Sequence, residues 1–196
     1  MSSKDRQSRI RLVVGLGNPG QRYASTRHNA GFWFVDGIEG REPFRSDRRN
    51  DSEVSSCALG VERVLLQKPQ AFMNLSGLPV RQLLDFHKLS PDEVLIVHDE
   101  LDLAPGIIRL KRGGGHGGHN GLRDLIRHIG AEFARLRVGI GHPGQREQVV
   151  GYVLDPPRRE EREAIDSALN DARAVLADLA SGDWDRAVRT LHNRTA

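Results

Sequence analysis

The sequence predicts an α/β protein: a single domain built on one twisted, mixed β-sheet flanked by helices. Three observations carry that expectation. Short β-branched runs alternate with segments of helical apolar spacing. Turns rich in glycine or proline separate many of them. The chain of 196 residues is long enough for one well-buried domain and too short for two of ordinary size.

Taken in order, residues 10–16 (IRLVVGL) form a β-rich run that meets the turn GNPG. From Thr26 to Ile38, the residues Ala30, Phe32, Trp33, Phe34, Val35 and Ile38 make one broad helical stripe, with Thr26 placed as its cap. Residues 39–56 are rich in charge and serine and read as the least structured part of the chain. A strand follows at 63–66. Leu78, Val80, Leu83, Leu84 and Phe86 then recur at helical spacing, with Pro79 in the first turn, Ser76 as the cap and an end near His87. Strands are expected at 93–98, 107–111 and 136–140, with one helix from about Asn120 to Ile129. A long stripe from Ala164 to Leu179 and a short helix around Trp184 to Leu191 close the chain. Residues 1–9 are polar and read as a flexible start, leaving 10–196 as the domain.

Composition excludes several classes. With 38% hydrophobic and 28% charged residues the chain is far from disordered tails and membrane proteins. No run approaches the roughly 20 apolar residues of a spanning helix. Residues 1–9 lack the apolar region of a secretory signal, so the expected location is the cytoplasm. The lone Cys57 allows neither an internal disulfide nor a zinc ribbon. Net charge is only +3, but its placement is uneven. Between Ile107 and Arg137 stand Arg109, Lys111, Arg112, Arg123, Arg127, Arg135 and Arg137 against only Asp124 and Glu132. Such a focus suits a polyanion such as nucleic acid, although a solvated basic face reads the same way.

Gly15, Gly17 and Gly20 spell a dinucleotide fingerprint after a strand, with Asp36 near the distance of a ribose-binding acid. Two features oppose that reading. Pro19 removes a backbone N–H that a pyrophosphate would use, and Asp36 lies within a helical pattern rather than at a strand end.

Hydrolysis near neutral pH needs a base to activate water, and histidine is the side chain whose ordinary pKa lies there. His28, after the polar turn, and His119, among glycines at a helix start, are the best-placed candidates. Asp99 ends a buried-looking strand, where it can orient a histidine or merely cap a loop. Asn18, Asn74 and Asn120 offer donors and acceptors without charge, fit for holding a carbonyl or a water beside phosphates. Each also suits an ordinary turn. No G-x-S-x-G elbow is present, and the H-x-x-H of His116 and His119 lacks a third ligand and helical spacing, so neither a serine nucleophile nor a metal is expected.

Five motifs occur in fixed order: GLGNPGQRYASTRHNAGF (15–32), KPQAFMNLSG (68–77), HDELDL with PG (98–106), GGGHGGHNGL (113–122) and RLRVGIGHPG (135–144). Together they resemble the bacterial-type peptidyl-tRNA hydrolase family, from about Leu12 to about Leu154. Ala71 departs from the pattern, which usually places a small hydroxyl residue before F-M-N. The resemblance implies hydrolysis of the ester of peptidyl-tRNA, with His28 as general base, Asp99 as its supporting acid and Asn18, Asn74 and Asn120 in the active-site cleft. It further implies that Tyr23, Phe72 and Met73 line that cleft and that Lys111 and Arg137 contact the phosphate at the 5′ end of tRNA, while Arg109, Arg112 and Arg135 add non-specific attraction. No cofactor, no metal, no DNA partner and a monomeric state go with it. The competing expectation is an RNA-binding module of the same fold without turnover.

Overall fold

A computed structural model describes residues 8–194; the expectation of a flexible start falls mostly on residues 1–7, outside the described residues. The sheet has seven strands in the order β2-β3-β4-β1-β5-β7-β6. They are β1 (Leu12–Gly15), β2 (Arg45–Asp47), β3 (Ser52–Leu59), β4 (Glu62–Pro69), β5 (Val94–Glu100), β6 (Ile108–Arg112) and β7 (Ala134–Gly139). The four central strands β4, β1, β5 and β7 are parallel, and the flanking pairs are antiparallel. The sheet is mixed, as expected.

Side-chain alternation divides the core into two layers. Val13, Leu95 and Val97 face one side, where they pack with α1 (Ala30–Asp36), α5 (Arg159–Ala174), α6 (Leu176–Ser181) and α7 (Trp184–Arg194). Leu12, Val14, Val94 and Ile96 face the other, against α2 (Gly77–His87) and α3 (Asn120–Ile129). A short helix, α4 (Val149–Leu154), packs at the edge of the first layer. None of the described helices is long and apolar enough to cross a membrane.

The glycines after β1 serve packing. A Cβ on Gly15 would overlap the carbonyl of Gly31, and one on Gly31 would overlap the backbone at Leu16 and Val97. This glycine pair lets α1 cross directly over β1 and β5, and the turn before α1 is thereby held close to the end of β5. Asp36 ends α1 and pairs with Lys68 at 2.8 Å, far from any nucleotide role.

Four local expectations are corrected. Residues 39–56 contain β2 and the start of β3; β3 pairs with β4 from Ser52↔Pro69 to Leu59↔Glu62, so its order comes from a partner strand. The stripe 164–179 is two helices, α5 and α6, broken at Val175. Thr26 precedes a 3₁₀ turn (Arg27–Asn29) rather than α1, and its hydroxyl donates back to the Tyr23 carbonyl. Ser76 likewise bonds the Met73 carbonyl, while the carboxylate of Asp124, from α3, accepts the Gly77 N–H and caps α2 from outside.

Candidate active site

The C-terminal ends of the parallel strands, where open α/β sheets usually place their sites, border a cleft of about 610 Å³. At its floor is Asp99, the penultimate residue of β5, 4% exposed. His28 reaches it from the 3₁₀ turn ahead of α1, with Nδ1 2.9 and 3.0 Å from the two carboxylate oxygens. His119, the residue before α3, places Nε2 3.0 Å from the same Asp99 Oδ1. Three segments far apart in sequence therefore converge on one carboxylate.

Hydrogen bonding fixes the roles of the ring nitrogens. His119 Nδ1 accepts the N–H groups of Gly121 and Leu122, at 3.1 and 3.3 Å, as the cap of α3. An acceptor nitrogen carries no proton, so Nε2 bears it and donates to Asp99. Nδ1 of His28 donates to Asp99 in the same way, which leaves its Nε2 as a lone pair. Burial alone would lower the pKa of His28, but the charge of Asp99 and the hydrogen bond to it outweigh that and raise it above 6.5. Burial likewise opposes the charge on Asp99, yet His28 and His119 hold its carboxyl well below the usual range.

The ligand atoms of His28, Asp99 and His119 lie within 4.8 Å of one another, close enough to surround an ion. The proton on His119 Nε2 argues for a different use. A ligating histidine presents a lone pair to the metal and donates from its other nitrogen, whereas here the other nitrogen accepts two backbone N–H groups. This is the donor set of a hydrogen-bonded triad.

Asn18 is buried beside the floor. Its Oδ1 accepts the Met73 N–H at 2.8 Å, so the amide orientation is set and Nδ2 remains available. Asn29 exchanges two bonds with the backbone of Asn18, each 2.9 Å, and locks the turn after β1. Asn74 and Asn120 are exposed and line the cleft; Asn120 Oδ1 accepts from Arg123 at 3.0 Å. Tyr23 and Phe72 meet edge to face with ring centres 6.4 Å apart at the rim, and Met73 is buried beneath them. On the opposite wall stand Val149, Val150, Val153 and Leu154 of α4.

Lys111 and Arg137 both reach the cleft, from β6 and β7. Glu100 holds Arg137 Nε at 2.9 Å. The rest of the basic stretch is divided by strand alternation. Arg112 points to the other face, stacks on Trp184 at 4.3 Å and donates to the carbonyls of Asp92 and Ser8. Arg135 is 4% exposed and its guanidinium is spent on the carbonyls of Gly114 and Gly115, which shapes the glycine loop. Both guanidinium groups are thus tied to main-chain carbonyls while keeping their charge. His98 is buried beside His119 with its pKa lowered to about 3, chiefly by burial, and donates from Nδ1 to the Asp99 carbonyl. His119, a candidate base by its sequence position, instead donates to Asp99. Asn29 belongs to the polar turn in sequence as in the fold, whereas the cap that Asp124 sets on α2 from the middle of α3 has no local sequence signal.

A histidine–aspartate pair at the carboxyl edge of an α/β sheet, bordered in one cleft by uncharged amides and two cations, is the arrangement of an α/β enzyme site. The chain belongs to the peptidyl-tRNA hydrolase family, whose model matches residues 12–196. It is 50% identical over 190 residues to a peptidyl-tRNA hydrolase of Alkalilimnicola ehrlichii, covering 95% of this chain and 96% of the relative. A Neisseria gonorrhoeae peptidyl-tRNA hydrolase is 49% identical over 188 residues, with 94% and 98% covered. The crystal structure of the Acinetobacter baumannii peptidyl-tRNA hydrolase superposes with a TM-score of 0.92 at 44% identity, covering 95% of this chain and 96% of that one. The family match continues past Leu154, where the sequence resemblance ends, and takes in α5 to α7.

Proposed function

We propose that this chain is a hydrolase that cleaves the ester between a peptide and the terminal ribose of tRNA, releasing both for reuse in translation. The observation that carries the reading is the His28 ring, held through Nδ1 by Asp99 so that Nε2 presents a lone pair. In the mechanism, Nε2 takes a proton from a water molecule as its oxygen attacks the ester carbonyl. Asp99 stabilises the imidazolium that forms without taking the proton itself. His119 donates a second hydrogen bond to Asp99, which fixes the carboxylate on the line between the two rings.

As the carbonyl becomes tetrahedral, negative charge gathers on its oxygen. The free Nδ2 of Asn18 is the best-preorganised donor for it, since the Met73 N–H already fixes that amide. Asn74 and Asn120, exposed at the mouth of the cleft, hold the ribose and the peptide backbone. Tyr23 and Phe72 offer faces for stacking the terminal bases, with Met73 packed below. Lys111 and Arg137 take the 5′ phosphate, and the Glu100 carboxylate on Arg137 Nε leaves the two terminal nitrogens of that guanidinium to face the anion. Recognition is thus directed at the acceptor end of tRNA, with no DNA substrate, by a monomer acting in the cytoplasm without a cofactor.

The test is release of N-acetyl-amino acid from N-acetyl-aminoacyl-tRNA by the wild type and His28→Ala, with a chelator present. Turnover that survives the chelator and vanishes with the histidine is expected. A folded wild type that binds the tRNA without cleaving it would show an RNA-binding module instead.

A further inference from the structure

Arg27 precedes His28 in sequence and is 5% exposed. Its guanidinium is directed entirely at the junction of α4 and α5. Nη1 donates to the carbonyls of Tyr152, Asp155 and Pro156 at 3.2, 3.2 and 3.0 Å, one in the last turn of α4 and two just past its end. Nη2 pairs with Glu161 Oε2 at 2.8 Å, and the same oxygen accepts the Arg158 N–H at the start of α5. The guanidinium also lies 4.0 Å over the Tyr152 ring, and the Arg27 N–H bonds the Asp155 carbonyl.

These contacts have a specific target. Helix α4 has six residues, too few to be stable without outside partners. It supplies the apolar wall of the cleft, with Val150 68% and Leu154 38% exposed. We propose that Arg27 is a positioning residue: it clamps α4 to the turn that carries His28 and so sets the distance between base and wall in which the ester is held. The proposal rests on the hydrolase reading for its kinetic consequence but not for its structural one. Lysine cannot replace this residue, because one ammonium cannot serve three carbonyls and a carboxylate in a planar fan.

The experiment compares Arg27→Lys with Glu161→Gln and the wild type, well below the melting temperature of each. With N-acetyl-aminoacyl-tRNA, Arg27→Lys is expected to raise KM about tenfold or more, as misplacement near a reacting centre does. The midpoint of the kcat–pH profile should stay put, because the His28–Asp99 bonds are untouched. Glu161→Gln leaves the three carbonyl bonds in place and should raise KM about threefold or less. Amide exchange supplies a readout that needs no turnover. Residues 149–154 should lose protection in Arg27→Lys while β5 keeps it. A KM within twofold of the wild type, unchanged protection of α4, or a shifted pH midpoint at unchanged KM would each overturn the proposal. A wild type without turnover would overturn the hydrolase reading alone, and the exchange data would then decide the clamp.

Discussion

The floor and the rim of the cleft are built in opposite ways. On the floor, Asp99, His28, His119 and Asn18 are buried or nearly so, and each is tied by hydrogen bonds to groups from another segment. At the rim, Phe72, Asn74, Asn120 and Lys111 are exposed. The proposed mechanism accounts for the difference. Groups that meet developing charge gain most when no reorganisation is needed, and only burial with satisfied partners provides that. Groups that capture a large, flexible substrate need access instead, and in water their charges each add modestly.

Substitutions should therefore separate into large losses of kcat on the floor and smaller changes of KM at the rim. His28→Ala is expected to lower kcat by about 10³-fold, the usual reach of a general base. Asp99→Asn should follow closely, at about 10²- to 10³-fold, because two N–H groups then face one amide oxygen and one amide N–H. Its pH profile sharpens the comparison. In the wild type the basic form of His28 is active, so kcat/KM should rise with pH through a midpoint above 6.5. Without the Asp99 charge only burial remains, and the midpoint should fall below 6.5. A midpoint that does not move would separate the pair and break the account of the floor.

Asn18→Ala comes next, with a loss of about 10²-fold in kcat if its amide faces the oxyanion. An effect on KM alone would move Asn18 to the rim. The smallest changes belong to Lys111→Ala and Arg137→Ala. Each should raise KM several-fold with kcat kept, and each should flatten the dependence of log KM on log salt by about one counterion. Equal salt slopes in variants and wild type would remove both from phosphate binding.

Linkage makes the same distinction in stability. The raised pKa of His28 contributes stability that is full below its unfolded value near 6.5 and is lost as pH rises through the folded value. The depressed pKa of Asp99 contributes stability present above about 4 and lost only as pH falls through its lower folded value. Denaturant midpoints for wild type and Asp99→Asn between pH 4 and 9 should converge toward the alkaline end.

Much of this architecture is legible in the sequence, for identifiable reasons. The central strands are largely buried and rich in β-branched and aliphatic residues, an apolar stretch at 94–97 and a run broken only by Arg137 and Gly139 at 136–140, so both announce themselves. Strand β3 does not, because Ser52, Ser55 and Ser56 are buried by pairing with β4 rather than by their own character. The stripe across Val175 hides a break, since one non-helical residue leaves the apolar spacing nearly intact. Site residues followed a similar rule. His28, Asp99 and the three asparagines could be named from their motifs. The bond from His119 to Asp99 and the cap that Asp124 places on α2 span 20 and 47 residues, and only the fold brings those ends together.

The clamp at Arg27 also has a temporal meaning. During synthesis the first strand, the base and the supporting aspartate emerge well before α4 and the carbonyls that seat it on Arg27, and the clamp gains its carboxylate only when Glu161 follows. The parallel order of the central strands imposes the same delay, because non-local pairs form only after the intervening chain exists. A nascent chain shorter than about residue 149 therefore carries His28 and Asp99 without the α4 wall of the cleft, and the clamp on that wall is complete only when Glu161 follows.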